Sequence, residues 1–204
     1  VHVVLNGFDE DEHKVVRHRF PKFTILHAGT VHKYRPAGVL LDALDEICRE
    51  SPQIIESMQI FFYGDEKNLQ AELSTRLCKS LFEFRPTIPK AELLPLLHGA
   101  NILLHLSTPG AKGIMTSKIT EYLGARRPIL TVPGDGDCVD ALLAETGAGK
   151  SCGSAAEAKK FLVSEWETWR RGRDSNYIPQ NQSLDVYTRR IQCQHLSQIL
   201  HRLL

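Results

Sequence analysis

The stretch NILLHLSTPGAKGIMTSKITEYLGARRPILTV, residues 101–132, decides the architecture. It opens on the apolar run Asn101–Leu106 and closes on a second, Pro128–Val132. Between them lie a loop rich in glycine and hydroxyl residues and one helical pattern, Ser117–Arg126. Short unbroken apolar runs are the mark of strands covered on both faces, and a helix joining two of them makes a parallel strand–helix–strand unit. The same alternation continues in both directions. Further candidate strands are Val1–Leu5, Phe23–His27, Met58–Tyr63, Leu81–Phe84 and a weak Gly149–Cys152. Candidate helices are Pro36–Glu50, Glu66–Lys79, Pro89–Gly99, Asp137–Thr146 and Ser154–Arg171, the last opening on the capping box Ser154-x-x-Glu157.

This repetition predicts an α/β fold, a doubly wound parallel sheet with helices on both faces. Ligands of such sheets bind beyond the carboxyl ends of the strands. From Arg171 to Gln182 the pattern turns polar and loses its period, and a last helix is predicted over Leu184–Leu204 with Val186, Ile191, Leu196, Ile199 and Leu200 apolar.

Composition narrows the function classes. Lys plus Arg is 25 against 24 for Asp plus Glu, so no global field attracts nucleic acid. No run approaches the roughly 20 apolar residues that span a bilayer, and no signal peptide is visible. A start at Val1 suggests a piece of a longer chain. The five cysteines are scattered, without a Cys-x-x-Cys pair, which argues against a zinc site and for a reducing, cytoplasmic setting. Asp135-Gly-Asp137 lacks the further acids of a calcium loop and reads as a turn and helix cap.

Two loops could carry chemistry. The first runs from Ser107 into the helix beginning near Thr116 or Ser117. Free amides at a helix start attract an anion, and Gly110 and Gly113 allow a phosphate to approach backbone. Lys118 in the first turn opposes the helix dipole, a cost that an anion would offset, and Glu121 could accept ribose hydroxyls. By spacing alone, Lys118 and Glu121 read as a surface i, i+3 ion pair rather than a site. The second loop, His27-Ala-Gly-Thr-Val-His-Lys-Tyr-Arg35, places Gly29 at a strand end followed by Lys33 and Arg35, cations suited to a diphosphate. His27, His32, His98 and His105 read as core or surface histidines, and Trp166 and Trp169 as one packed helix face.

In their order these segments resemble the C-terminal domain of GT-B glycosyltransferases, most closely the retaining family 4 group. The pieces are Leu5-Asn-Gly-Phe-Asp9, Ile25–Thr30, Phe61–Gly64, Phe84–Pro89, Gly99–Leu104 and, most specific, Ser117-Lys-Ile-Thr-Glu-Tyr-Leu-Gly-Ala-Arg-Arg-Pro128. The resemblance implies a Rossmann-like domain over 1–182 that binds a nucleoside-diphosphate sugar as donor substrate, with no cofactor and no metal. The C-terminal helix, 183–204, would pack on it or toward a missing N-terminal acceptor domain. It implies Glu121 on the ribose, the amides of Thr116, Ser117 and Lys118 on the diphosphate with Gly29, Thr30, Lys33 and Arg35 near it, and Arg85–Thr87 against the base. The parent enzyme would be cytoplasmic, at most peripheral to the inner membrane face. Two departures stand out: Gly113 occupies the position of the family's first glutamate, and Thr30 follows the strand-end glycine where the family has arginine. A nucleotide-sugar epimerase on the same scaffold, or a non-catalytic interaction module, are the competing readings.

Overall fold

The computed structural model describes residues 2–31, 34–65, 67–173, 175, 177 and 184–202. Six parallel strands form one sheet: β1 (Phe23–Ala28), β2 (Met58–Tyr63), β3 (Phe82–Arg85), β4 (Ile102–Leu106), β5 (Ile129–Val132) and β6 (Gly149–Ser151), in the order β3-β2-β1-β4-β5-β6. Every pairing is parallel; Ile25 lies opposite both Ile60 and Ile102, so β1 occupies the centre. The order reverses between β1 and β4, which makes the crevice above their carboxyl ends the natural ligand position.

The helices are α1 (Gly38–Glu50), α2 (Pro52–Glu56), α3 (Lys67–Leu73), α4 (Lys90–Gly99), α5 (Ser117–Ala125), α6 (Cys138–Thr146), α7 (Ala155–Arg170) and α8 (Arg189–His201), with single-turn 3-10 segments at Leu77–Leu81 and Asp185–Tyr187. Alternate strand residues feed two cores. Phe23, Ile25, Ile60, Phe62 and Leu104 meet α1 and α7 through Leu40, Leu44, Phe161 and Trp166. Leu26, Phe61, Leu103 and Ile129 meet α4, α5 and α6 through Leu97, Ile119, Leu123 and Leu142. β1 is buried on both faces and mainly apolar, with Thr24 and His27 its buried polar residues, and each such Leu or Ile contributes about 1.5–3 kcal/mol by burial.

Three expectations need correction. Residues 2–5 form no strand: the Leu5 amide donates to Gln192 Oε1, and the first pairing is a bridge between Phe8 and Thr188. The helix expected over Glu66–Lys79 stops at Leu73. The Asp45 carboxylate accepts from the Cys78 amide at 2.9 Å and pairs with Arg76, so that backbone satisfies itself outside the helix. The helix expected over Leu184–Leu204 is broken at Thr188: Phe8 bonds the Tyr187 carbonyl and the Arg189 amide on either side of it, and the Thr188 hydroxyl caps α8. Leu184 and Tyr187 are buried in the second core, while Val186, Leu196 and Leu200 are exposed. The capping box stands: Ser154 Oγ accepts from the Glu157 amide, with Glu157 Oε2 accepting from Gly153.

Candidate functional site

Above the carboxyl ends of β1 and β2 lies a cleft of about 290 Å³, walled by Ala28, Gly29, Tyr63, Thr87, Ile88 and Lys90 on one side and by Ser117, Lys118, Glu121 and Tyr122 of α5 on the other. Its floor is apolar, from Leu93, Leu94 and Leu97 of α4. The wall is stitched to the sheet by the Ala28 amide, which donates to the buried Tyr122 hydroxyl at 2.9 Å. At the mouth, Gly29 and Gly64 stand back to back, with φ of +110° and +141°. A Cβ on Gly64 would lie 2.8 Å from the Gly29 carbonyl, and one on Gly29 would lie 3.0 Å from Lys118 Nζ. Both positions therefore favour glycine for conformation, and Gly64 requires it for space as well.

Glu121 and Lys118 do not pair. Instead, Glu121 Oε1 accepts from Lys90 Nζ at 2.9 Å and lies 3.5 Å from Arg189, while Oε2 contacts His13 Nε2 at 3.4 Å. Burial works to raise the Glu121 pKa, but His13 and Lys90 more than reverse it and hold the carboxyl below its usual value. The imidazole of His13 is backed by His98, with Nδ1 to Nε2 at 2.9 Å. Burial, then the neighbouring His13 and Arg17, depress His98 to about 4, so it is neutral at pH 7. Lys90, Arg189 and the His13 ring thus hold a charged carboxylate at the cleft wall.

Lys118 turns the other way. Passing over Gly29, its Nζ reaches His27 Nε2 at 3.0 Å, while His27 Nδ1 meets the Leu104 carbonyl at 2.9 Å. The His27 ring is fully buried against Phe62, and burial, then the Lys118 charge, drive its pKa well below the ordinary imidazole value. With His27 neutral, its Nδ1–H donates to the carbonyl and its Nε2 lone pair accepts from the lysine. Burial first and the Arg35 charge second lower Lys118 to about 7. Beside this lies a small hollow lined by Arg35, His105, Ser107, Thr116 and Asp135. Arg35 Nε, His105 Nε2 and Thr116 Oγ1 are buried there without a partner among the described residues. Such groups are costly unless a ligand or water completes them. The α5 N-terminus opens between these two spaces, and the N-cap Thr116 makes no side-chain capping bond.

No family model matches the sequence, and no curated protein does. Solved structures do. HepE of Anabaena, in complex with UDP-glucose, matches with a TM-score of 0.74 and 16% identity over 98% of this chain and 57% of its own. The pneumococcal O-GlcNAc transferase GtfA, in complex with UDP and GlcNAc, matches with 0.61 and 13% over 97% and 38%. The UDP-forming alpha,alpha-trehalose-phosphate synthase of Burkholderia vietnamiensis matches with 0.66 and 9% over 90% and 44%. The fold is that of a GT-B glycosyltransferase domain. The chain spans 38–57% of the length of these proteins.

Of the residues singled out from the sequence, Gly29, Thr87, Ser117, Lys118 and Glu121 line the cleft, and Arg35 and Thr116 line the adjoining hollow. Thr30 is exposed and Arg85 lies on Phe61, paired with Glu83, both off the cleft wall. Lys33 falls outside the described residues, as does His32. Sequence reasoning missed Lys90, His13 and Tyr63, and it took His27 and His105 for ordinary core histidines. Both rings are indeed buried, but both also face the site. The signal was there for His27 and His105: a polar ring inside an apolar parallel strand must find polar partners. Nothing near His13 in sequence announces Glu121, which is 108 positions away. Among the described residues no group of three or more His, Cys, Asp or Glu side chains is disposed to hold a metal ion, and no helix is long and apolar enough to cross a membrane. Asp135 accepts from the amides of Asp137, Val139 and Asp140 and so caps α6.

Proposed function

We propose that the cleft binds the nucleoside diphosphate of a sugar donor, and that this chain is the donor half of a two-domain glycosyltransferase of the retaining family 4 kind. The carrying observation is the pair of unlike groups that α5 presents: a fixed carboxylate, Glu121, held by Lys90 and Arg189, and Lys118, turned toward His27 and Arg35 with no carboxylate in ion-pair reach among the described residues. In this reading the base lies over the apolar floor against Thr87 and Ile88, and the ribose hydroxyls donate to Glu121. The diphosphate sits across the α5 N-terminus between Lys118 and Arg35, where first-turn amides have no helical partner. Those charges would stabilise the leaving diphosphate as the glycosidic bond breaks, without calling on a metal. Where the resemblance expects a carboxylate at 113, Asp137 brings one to the Gly113 amide at 2.5 Å and is our candidate for the sugar contact. The acceptor would bind a second domain, toward which the exposed Leu196 and Leu200 of α8 are suited to turn. The whole enzyme works in the cytoplasm.

Support comes from the fold shared with proteins solved with UDP or UDP-glucose. Calorimetric titration of UDP, GDP and ADP into the 204-residue chain tests the reading. One of the three should bind at micromolar to millimolar concentration, and Glu121→Ala should weaken it about 10–100-fold through the loss of charge-assisted hydrogen bonds. If all three fail at millimolar concentration, the donor site is wrong.

A further inference from the structure

We propose that Lys118 stands largely uncharged in the empty cleft at mildly alkaline pH and takes up a proton from solvent as a diphosphate binds, so that the anion and its counter-charge arrive together. This rests on the donor-site reading. Its basis is the company Lys118 Nζ keeps. From β1 it meets His27 Nε2 at 3.0 Å; from the following loop it faces Arg35, from β4 His105, and across the cleft Lys90 and Tyr63. On its own helix, Glu121 is occupied by Lys90, Arg189 and His13, and the Tyr122 hydroxyl by the Ala28 amide. Asp135, near His105, is engaged by three amides. Among the described residues no carboxylate lies within ion-pair distance of Lys118. An ammonium enclosed beside a guanidinium, with only imidazole for a partner, loses hydration and gains no counter-ion.

An amine needs neither. Its hydrogens still serve the His27 lone pair, whose ring cannot supply a second donor because Nδ1–H is committed to Leu104. When a diphosphate occupies the α5 N-terminus, the balance reverses, because two negative phosphoryl groups now face Nζ. The nitrogen lone pair then forms an N–H bond with a proton given up by a buffer acid, which leaves as its conjugate base. On release the proton returns to solvent. The lysine therefore contributes full charge to the bound state without holding an unpaired charge in the free one.

The consequence is linkage. The free amine titrates at about 7, so at pH 8 binding should take up about 0.9 proton per nucleotide. Affinity should be greatest below pH 7 and fall by up to about tenfold per pH unit above it, until the bound-state value is passed.

The test is calorimetry of UDP at pH 8 in three buffers of differing ionisation enthalpy, on the wild-type chain, Lys118→Met and Lys118→Arg. A wild-type slope near 0.9 that vanishes in both variants supports the inference, the arginine being charged throughout. UDP binding with a flat wild-type slope overturns it and leaves the donor site intact. Absence of UDP, GDP and ADP binding overturns both. Independently of any ligand, the 13Cε resonance of Lys118 in the free protein should titrate near neutrality, and a midpoint near 10.5 would refute the inference on its own.

Discussion

Replacing Lys118 by methionine should stabilise the empty protein, and by an amount that depends on pH in a defined direction. Methionine keeps the length and apolar body of the side chain and removes the charge. In the folded chain, burial and Arg35 lower Lys118 from 10.5 to about 7. At about 1.36 kcal/mol per unit that fall corresponds to about 5 kcal/mol against the charged form. Part of the side chain still faces the open cleft, so screening reduces the expected effect to ~2–3 kcal/mol. Below pH 7 the lysine is protonated in both folded and unfolded states, and the wild-type chain bears the whole penalty. Between pH 7 and 10.5 the unfolded state holds a proton that the folded state has lost, so wild-type stability rises with pH. The advantage of the methionine variant is thus greatest near pH 6 and shrinks toward pH 10. Loss of the bond to His27 costs about 1 kcal/mol at every pH and displaces the difference without bending it. Urea unfolding of both proteins at pH 6, 7, 8.5 and 10 measures this. A difference that is constant across that range, or that grows toward alkaline pH, refutes the reasoning.

The glycine pair at the cleft mouth separates two kinds of crowding. Gly64→Ala would set a Cβ 2.8 Å from the Gly29 backbone at φ +141° and should cost roughly 2–4 kcal/mol, seen as a fall in melting temperature. Gly29→Ala meets only the flexible end of Lys118 and should cost less, about 1–2 kcal/mol, while weakening UDP more than its stability loss accounts for. Asp137→Asn should leave UDP affinity within about twofold but reduce the extra affinity of a UDP-sugar over UDP by about 5–10-fold, measured by competition calorimetry. Equal losses for both ligands would remove Asp137 from the sugar contact.

The central strands were legible because β1, β4 and β5 are buried on both faces, which leaves few polar positions to blur the pattern. Phe23–Ala28 and Met58–Tyr63 appear in the structure within a residue of where the apolar runs place them. Residues 2–5 carry a similar apolar pattern and form no strand, because a run of valines says nothing about whether a neighbouring edge is free. The same limit applies to α8. Its apolar positions promised a packed stripe, yet only Ile199 is buried, because this chain supplies little for the others to pack on. In the site, residues local to one loop were readable and their partners were not. Ser117, Lys118 and Glu121 share one helix start, but what each does is set by His27, Lys90, His13 and Arg189, drawn from four other segments. The i, i+3 spacing of Lys118 and Glu121 suggested a surface ion pair. Its failure comes from competition: two cations and an imidazole reach the carboxylate from elsewhere, and the glycine at position 29 opens a path that leads the lysine away.

That divergence bears on function more than the individual contacts do. Had Lys118 and Glu121 paired, the cleft would be electrically closed, and a nucleotide would have to break an ion pair to enter. Instead the acid is held by Lys90 and Arg189, and the lysine has an imidazole but no carboxylate for a partner among the described residues. Glu121 already holds a charge that neighbouring cations stabilise, and a carboxylate has lone pairs enough to accept hydroxyl hydrogens without giving those neighbours up. Beyond it, Lys118 has only the His27 imidazole as acceptor, and Arg35 Nε and the Thr116 hydroxyl are buried without a partner among the described residues. A ligand complementary to both groups must offer hydroxyl donors at one end and strong anionic acceptors at the other. Ribose joined to a diphosphate meets that description, whereas a plain sugar lacks the anion and a free phosphate lacks the hydroxyls. The glycine at 29 is what permits the arrangement, since only there can the lysine cross the strand end to sit where the phosphates would lie.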